Sequence, residues 1–113
     1  MLYPTLMVSG VAEETRGPVK RAIVHYGGRV QGVGFRYTTA TLADRYAVAG
    51  YVQNLPDGRV RLVAEGAEVE VEGLLEAVSE RMGRNIKSAD VAWMEATGEF
   101  GEPAEGDTFG VRY

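Results

Sequence analysis

The sequence predicts an α+β domain with the element order β-α-β-β-α-β and a short extra strand at its C-terminal end. Three observations carry this expectation. Short runs rich in β-branched and aromatic residues are closed by glycine or proline turns. Two longer segments place apolar residues at helical spacing. Neither repeats nor low-complexity tracts interrupt the pattern.

Residues 20–26, K-R-A-I-V-H-Y, form the first expected strand and stop at Gly27-Gly28. After a glycine-punctuated segment, residues 37–48 contain neither Gly nor Pro. There Thr39, Leu42, Ala43, Tyr46 and Ala47 fall on one helical face, and Gly50 is the expected stop. Residues 51–54 and 59–65 read as a hairpin around Leu55-Pro56-Asp57-Gly58. Residues 67–82 begin with the strand-like alternation E-V-E-V-E, yet Val71, Leu74, Leu75, Val78 and Met82 make a helical stripe. Length decides for the helix, with Gly83 as its stop. Residues 89–96 are the fourth strand, 97–107 an acidic loop, and 108–113 the extra strand. The fourth strand carries Val91 and Trp93; Trp93 and the terminal aromatics are expected in core or sheet packing, with Phe109, Val111 and Tyr113 on one face.

This order is that of a ferredoxin-like βαββαβ sandwich, an antiparallel sheet with two helices on one face. It has a geometric consequence. The first and second strands run the same way, so the glycine segment after Gly27 and the end of the second strand at Asn54 meet at one edge of the sheet. An Arg and an Asn there can share a ligand.

The bulk composition sets limits. At 113 residues the chain suits one domain, expected over 19–113, with 1–18 a mobile extension before it. Hydrophobic residues are 45% and charged residues 25%, a globular balance. The chain has no cysteine, which excludes thiol nucleophiles, Cys-based zinc sites and iron–sulfur clusters and fits a reducing, cytoplasmic setting. A net charge of -4 argues against broad nucleic-acid binding. No apolar run has the length of a membrane span, and a monomer is expected.

The glycine segment carries the chemistry. Gly28, Gly32 and Gly34 let the backbone approach a ligand, and a strand–loop–helix junction presents free N–H groups to an anion. Arg36, at the helix start, adds a charged fork suited to a phosphoryl group or carboxylate. A Walker loop would need Gly-Lys-Ser/Thr, which is absent, and a Rossmann fingerprint would need a third glycine where Tyr37 stands. From physics alone, a plain tight turn explains the glycines as well as an anion site does.

Two motifs resemble a known family. G-R-V-Q-G-V-G-F-R at residues 28–36 is similar to the first signature of acylphosphatases. G-Y-V-Q-N-L-P-D-G-R-V at residues 50–60, followed by Gly66, is similar to the second. The resemblance implies hydrolysis of an acyl phosphate to carboxylate and inorganic phosphate, with neither cofactor nor metal. It implies a phosphate cradle of backbone N–H groups from Gln31, Gly32, Val33, Gly34, Phe35 and Arg36. Arg36 would hold the phosphoryl oxygens, and Asn54 would orient the attacking water. The chain departs from the family pattern at Tyr26 and at Gly83-Arg84, the latter on the route into the fourth strand.

Other residues have plainer readings. His25 lies mid-strand and is read as structural. Asp57 is explained by turn chemistry, and Arg29, Arg59 and Arg61 by a solvated face. The competing class of function is a non-catalytic ferredoxin-like module binding anions or RNA, although no RNP-like pattern of basic and aromatic residues supports it.

Overall fold

The computed structural model describes residues 18–104, 106 and 108–113. In chain order the elements are β1 (Val19–Gly28), α1 (Phe35–Ala43), β2 (Val48–Asn54), β3 (Val60–Ala67), α2 (Glu68–Met82), a 3-10 turn (Gly83–Asn85), β4 (Ile86–Glu95) and β5 (Phe109–Arg112). The expected extension over 1–18 lies outside the described residues, apart from Pro18.

The sheet runs β4-β1-β3-β2-β5. Neighbours among its first four strands are antiparallel, in the expected ferredoxin-like order. β5 joins parallel to β2, so the complete sheet is mixed. Period-two alternation sends Ala22, Val24 and Tyr26 of β1 into the core, where Leu42, Val71, Leu74 and Val78 of the helices meet them. This buried layer holds both ends of the loop that follows β1.

Element boundaries moved in three places. The first helix ends at Ala43 rather than near Val48, because Asp44, Arg45 and Tyr46 donate to the carbonyls three residues back and close a tighter turn. Val48 and Ala49 then enter β2 fully buried. Gly50 is therefore not a helix stop. It lies inside β2 with φ 149, and a Cβ there would meet the Val63 carbonyl oxygen at 1.9 Å. Only glycine permits that approach between neighbouring strands. β4 begins three residues earlier than expected, directly from the 3-10 turn.

The ambiguous segment is helical, with Val71, Leu74, Val78 and Met82 buried. Its Gly73 makes room for a neighbour, since a Cβ would come within 2.6 Å of the Tyr46 ring. Trp93 lies in the sheet but not in the core, and Val91 beside it is open too. They are 39% and 46% exposed, because the helices cover β1, β3 and β2 but leave β4 overhanging. Of the terminal aromatics, Phe109 is in the core whereas Tyr113 is exposed.

The loop after β4 straps the sheet face opposite the helices. Buried Glu65 accepts from Arg21 Nε at 2.7 Å, from the Thr97 amide and hydroxyl at 2.8 and 2.9 Å, and from the Gly98 amide at 3.0 Å. Arg21 also pairs with Glu99 at 2.7 Å and lies over the Phe100 ring, which meets Tyr51 edge-on. The strap returns the chain from the β4 edge to β5 on the other side of the sheet.

Candidate active site

The loop from β1 to α1 is pinned at both ends. Val30 is fully buried, and Phe35 packs its ring against Tyr26 with centroids 5.1 Å apart. Between these anchors Gly32 and Gly34 have φ 76 and 79, while Val33 stays at negative φ. A Cβ on either glycine would meet nothing within 4 Å, so conformation, not space, demands glycine here. Alternation of handedness along such a segment turns successive N–H groups to one side, as an anion-binding nest requires.

Gly34 is also the N-cap of α1, and no side chain caps it. Thr38 N–H donates to Gly34 O at 3.0 Å. Amides ahead of Thr38 have no preceding helical turn to pair with, and the positive end of the helix dipole lies among them. Gln31 ties this loop to the hairpin. Its side-chain amide donates to Leu55 O at 2.8 Å and to Arg59 O at 2.9 Å.

Arg36 makes no ion pair among the described residues. Its guanidinium lies 4.8 Å from the Tyr113 ring centroid and donates weakly to Arg112 O at 3.5 Å. The Tyr37 and Tyr113 hydroxyls are 2.6 Å apart, which fixes that ring. Asn54 ends β2, and its Oδ1 is buried with no hydrogen-bond partner among the described residues. A buried acceptor without a donor costs free energy unless something else supplies one.

Arg36 and Asn54 line one cleft of about 280 Å³ together with Val30, Gly32, Gly34, Phe35 and Tyr37. Of the expected site residues, Gly32, Gly34, Phe35, Arg36 and Asn54 thus meet. The Gln31 side chain goes to the hairpin instead, and Val33, 40% exposed, does not line the cleft. Tyr37 and Tyr113 escaped the sequence reading. Tyr37 adjoins Arg36 in the chain, a signal that was available. Tyr113 reaches the site only because β5 lies beside β2, which no local pattern announces.

The remaining candidates lie outside the cleft. His25 is on the opposite sheet face, where Arg61 Nε approaches its Nε2 at 3.4 Å. Burial, then the charges of Arg59 and Arg61, lower its pKa. Asp57 accepts the Arg59 amide at 3.0 Å and Arg59 Nε at 2.9 Å, as turn chemistry predicts. Arg29 faces a different cleft beside Arg84 and Lys87.

A ferredoxin-like sheet, with a glycine loop, a helix N-terminus and an arginine without an ion pair among the described residues converging at one edge, is the architecture of this site. Comparison with known proteins names the family. The Acylphosphatase family profile matches residues 22–107. The acylphosphatase of Salinibacter ruber is 46% identical over 86 residues, covering 74% of this chain and 90% of that one. That of Haloarcula marismortui is 40% identical over 94 residues, covering 82% and 96%. The crystal structure of acylphosphatase from Bacillus subtilis superposes with a TM-score of 0.68 at 31% identity, covering 83% of this chain and 99% of that one. The chain belongs to the acylphosphatase family.

Proposed function

We propose that the protein hydrolyses the carboxyl–phosphate anhydride of acyl phosphates, with Arg36 and Asn54 as its catalytic residues. The observation that carries this is their pairing across one cleft: among the described residues, a guanidinium without a carboxylate partner and a buried acceptor without a donor.

The N–H groups of Gln31, Gly32, Val33, Gly34, Phe35 and Arg36 cradle the phosphoryl oxygens, and the Arg36 fork holds two of them. Asn54 Oδ1 accepts a hydrogen from a water and holds it against phosphorus. The water oxygen bonds to phosphorus as the bond to the acyl oxygen breaks. The carboxylate leaves with its electron pair and needs no general acid. The water's proton passes to a phosphoryl oxygen. The work is positioning and charge stabilisation, which suits a cleft lined by Arg, Asn and backbone. Inorganic phosphate, the product, occupies the same cradle. The cysteine-free composition supports a reducing compartment such as the cytoplasm. Among the described residues no helix is long and apolar enough to cross a membrane.

The test is Asn54→Ala, assayed for acetyl phosphate turnover and for inhibition by inorganic phosphate. The expected result is a large fall in kcat with the phosphate inhibition constant retained. Loss of phosphate affinity in step with rate would remove Asn54 from the role of water positioner. Undiminished turnover would remove it from the reaction.

A further inference from the structure

Three cations gather where β1 leaves the sheet. Arg29, Arg84 and Lys87 line a cleft of about 560 Å³ together with Gly28 and Asn85. No carboxylate is among its lining residues. None of the three cations makes a salt bridge among the described residues. The chain as a whole has a net charge of -4, so this is a local excess of the opposite sign. Like charges held together repel, and a cleft lined by one sign draws in counter-ions. The sequence alone reads Arg29 as part of a solvated face; the structure sets it beside two further cations from a distant segment.

The fold holds them there. The register of β1 against β4 shifts between Gly27 and Gly28, so Lys87 is an extra residue between Ile86 and Ser88, without a partner in the ladder. A bulge of this kind re-aims its side chain. A Cβ on Gly28 would come within 2.5 Å of the Asn85 carbonyl oxygen and 2.7 Å of the Lys87 nitrogen. Glycine therefore lets the start of β4 close on the start of the loop. The Arg29 amide donates to that Asn85 carbonyl at 2.8 Å. This bond ties the loop to the 3-10 turn and occupies an acceptor that would otherwise face an anion.

We propose that the cleft of Arg29, Arg84 and Lys87 is a second oxyanion site, for a phosphate or carboxylate group outside the cradle of residues 31–36. Two guanidiniums offer planar forks and the ammonium a mobile point charge. The cleft of Arg36 and Asn54 begins at the next residue, Val30, and shares no lining residue with this one. The group arrives on the acyl part of the substrate or on a separate small molecule. Only the first of these sources rests on the acyl phosphate reading.

Titration with inorganic phosphate at constant ionic strength, followed by backbone amide NMR, tests the site. Saturable shifts are expected at Gly28, Arg29, Asn85 and Lys87, in the wild type and in Arg36→Ala alike. In R84Q/K87Q they are expected to vanish, while the shifts at Gly32 and Gly34 remain and show that the variant is folded. Those two glycines report the cradle separately, so a failure of the acyl phosphate reading leaves this result intact. Lack of saturation, the same response to chloride, or a response that survives R84Q/K87Q overturns the proposal. Turnover of succinyl phosphate and acetyl phosphate, which differ by a carboxylate arm, identifies the source. At about 0.15 M salt, where long-range fields are screened, R84Q/K87Q is expected to raise KM about ten-fold for succinyl phosphate and to leave that for acetyl phosphate unchanged. Saturable phosphate binding with both KM values unchanged assigns the site to a separate anion.

Discussion

The Gln31 side-chain amide and the Leu55 carbonyl oxygen are 2.8 Å apart, and this bond joins the phosphate loop to the residue beside Asn54. It spans the two halves of the cleft. Under the proposed mechanism the loop positions phosphorus and Asn54 positions water, so their separation depends on this bridge. Gln31→Ala is expected to lower kcat about ten-fold, the scale of its two partly exposed hydrogen bonds lost and a looser reacting geometry. Phosphate inhibition is expected to change far less. In an Asn54→Ala background the same change has little further effect, because no positioned water remains to misplace. Additive losses in that double-mutant cycle would make Gln31 a structural residue only.

Tyr113 holds the Arg36 guanidinium over its ring, with Tyr37 fixing the phenol. An exposed contact of this type contributes about 0.5–1 kcal/mol. Tyr113→Leu is therefore expected to raise KM about three-fold and leave kcat nearly unchanged. Steady-state kinetics decides. A fall in kcat alone would contradict a substrate-binding role.

Glu65 makes the fold acid-sensitive. Burial pushes its carboxyl pKa up, but the Thr97 amide, Arg21, the Gly98 amide and the Thr97 hydroxyl outweigh this and hold it below the usual value. A depressed folded pKa contributes stability that is present above the unfolded value, about 4.3, and lost as pH falls through the folded value. Glu65→Gln is expected to cost about 3 kcal/mol at pH 7, since Arg21 loses its buried partner. The deficit narrows below about pH 4, where the wild type must protonate Glu65. Urea titrations across pH check this; a deficit independent of pH would refute it.

Thr39 is fully buried on α1, and its hydroxyl has no hydrogen-bond partner among the described residues. Thr39→Val keeps the shape and removes the unsatisfied group, so stability is expected to rise by about 1 kcal/mol. Thermal unfolding measures it, and a lower Tm would show that the hydroxyl is satisfied in solution.

The fold was legible where patterns were local. Val71, Leu74, Val78 and Met82 revealed α2 despite its strand-like start, and Leu55-Pro56-Asp57-Gly58 fixed the hairpin. What failed or stayed undecided depended on contacts from elsewhere in the chain. Gly50 reads as punctuation until the Val63 carbonyl is seen against it. Trp93 reads as core or sheet alike until the helices stop short of β4. At the site, strand direction brings the segments of Arg36 and Asn54 to one sheet edge, while the roles proposed for them come from the resemblance of the two motifs to the family signatures. Tyr113 was not legible, because its place depends on β5 pairing parallel with β2. The purpose of the acidic loop emerged only with the Glu65 network beneath it.

The central claim is that a cradle of amides closed by the Arg36 fork performs the hydrolysis. Acetyl phosphate turnover by the wild type and by Arg36→Ala, with a chelator present throughout, tests it most directly. The account predicts full wild-type activity in chelator. It also predicts a loss in the variant of about 3 kcal/mol or more in transition-state stabilisation, at least about a hundred-fold in kcat/KM. Near-wild-type hydrolysis by Arg36→Ala, or wild-type activity abolished by the chelator, would contradict it.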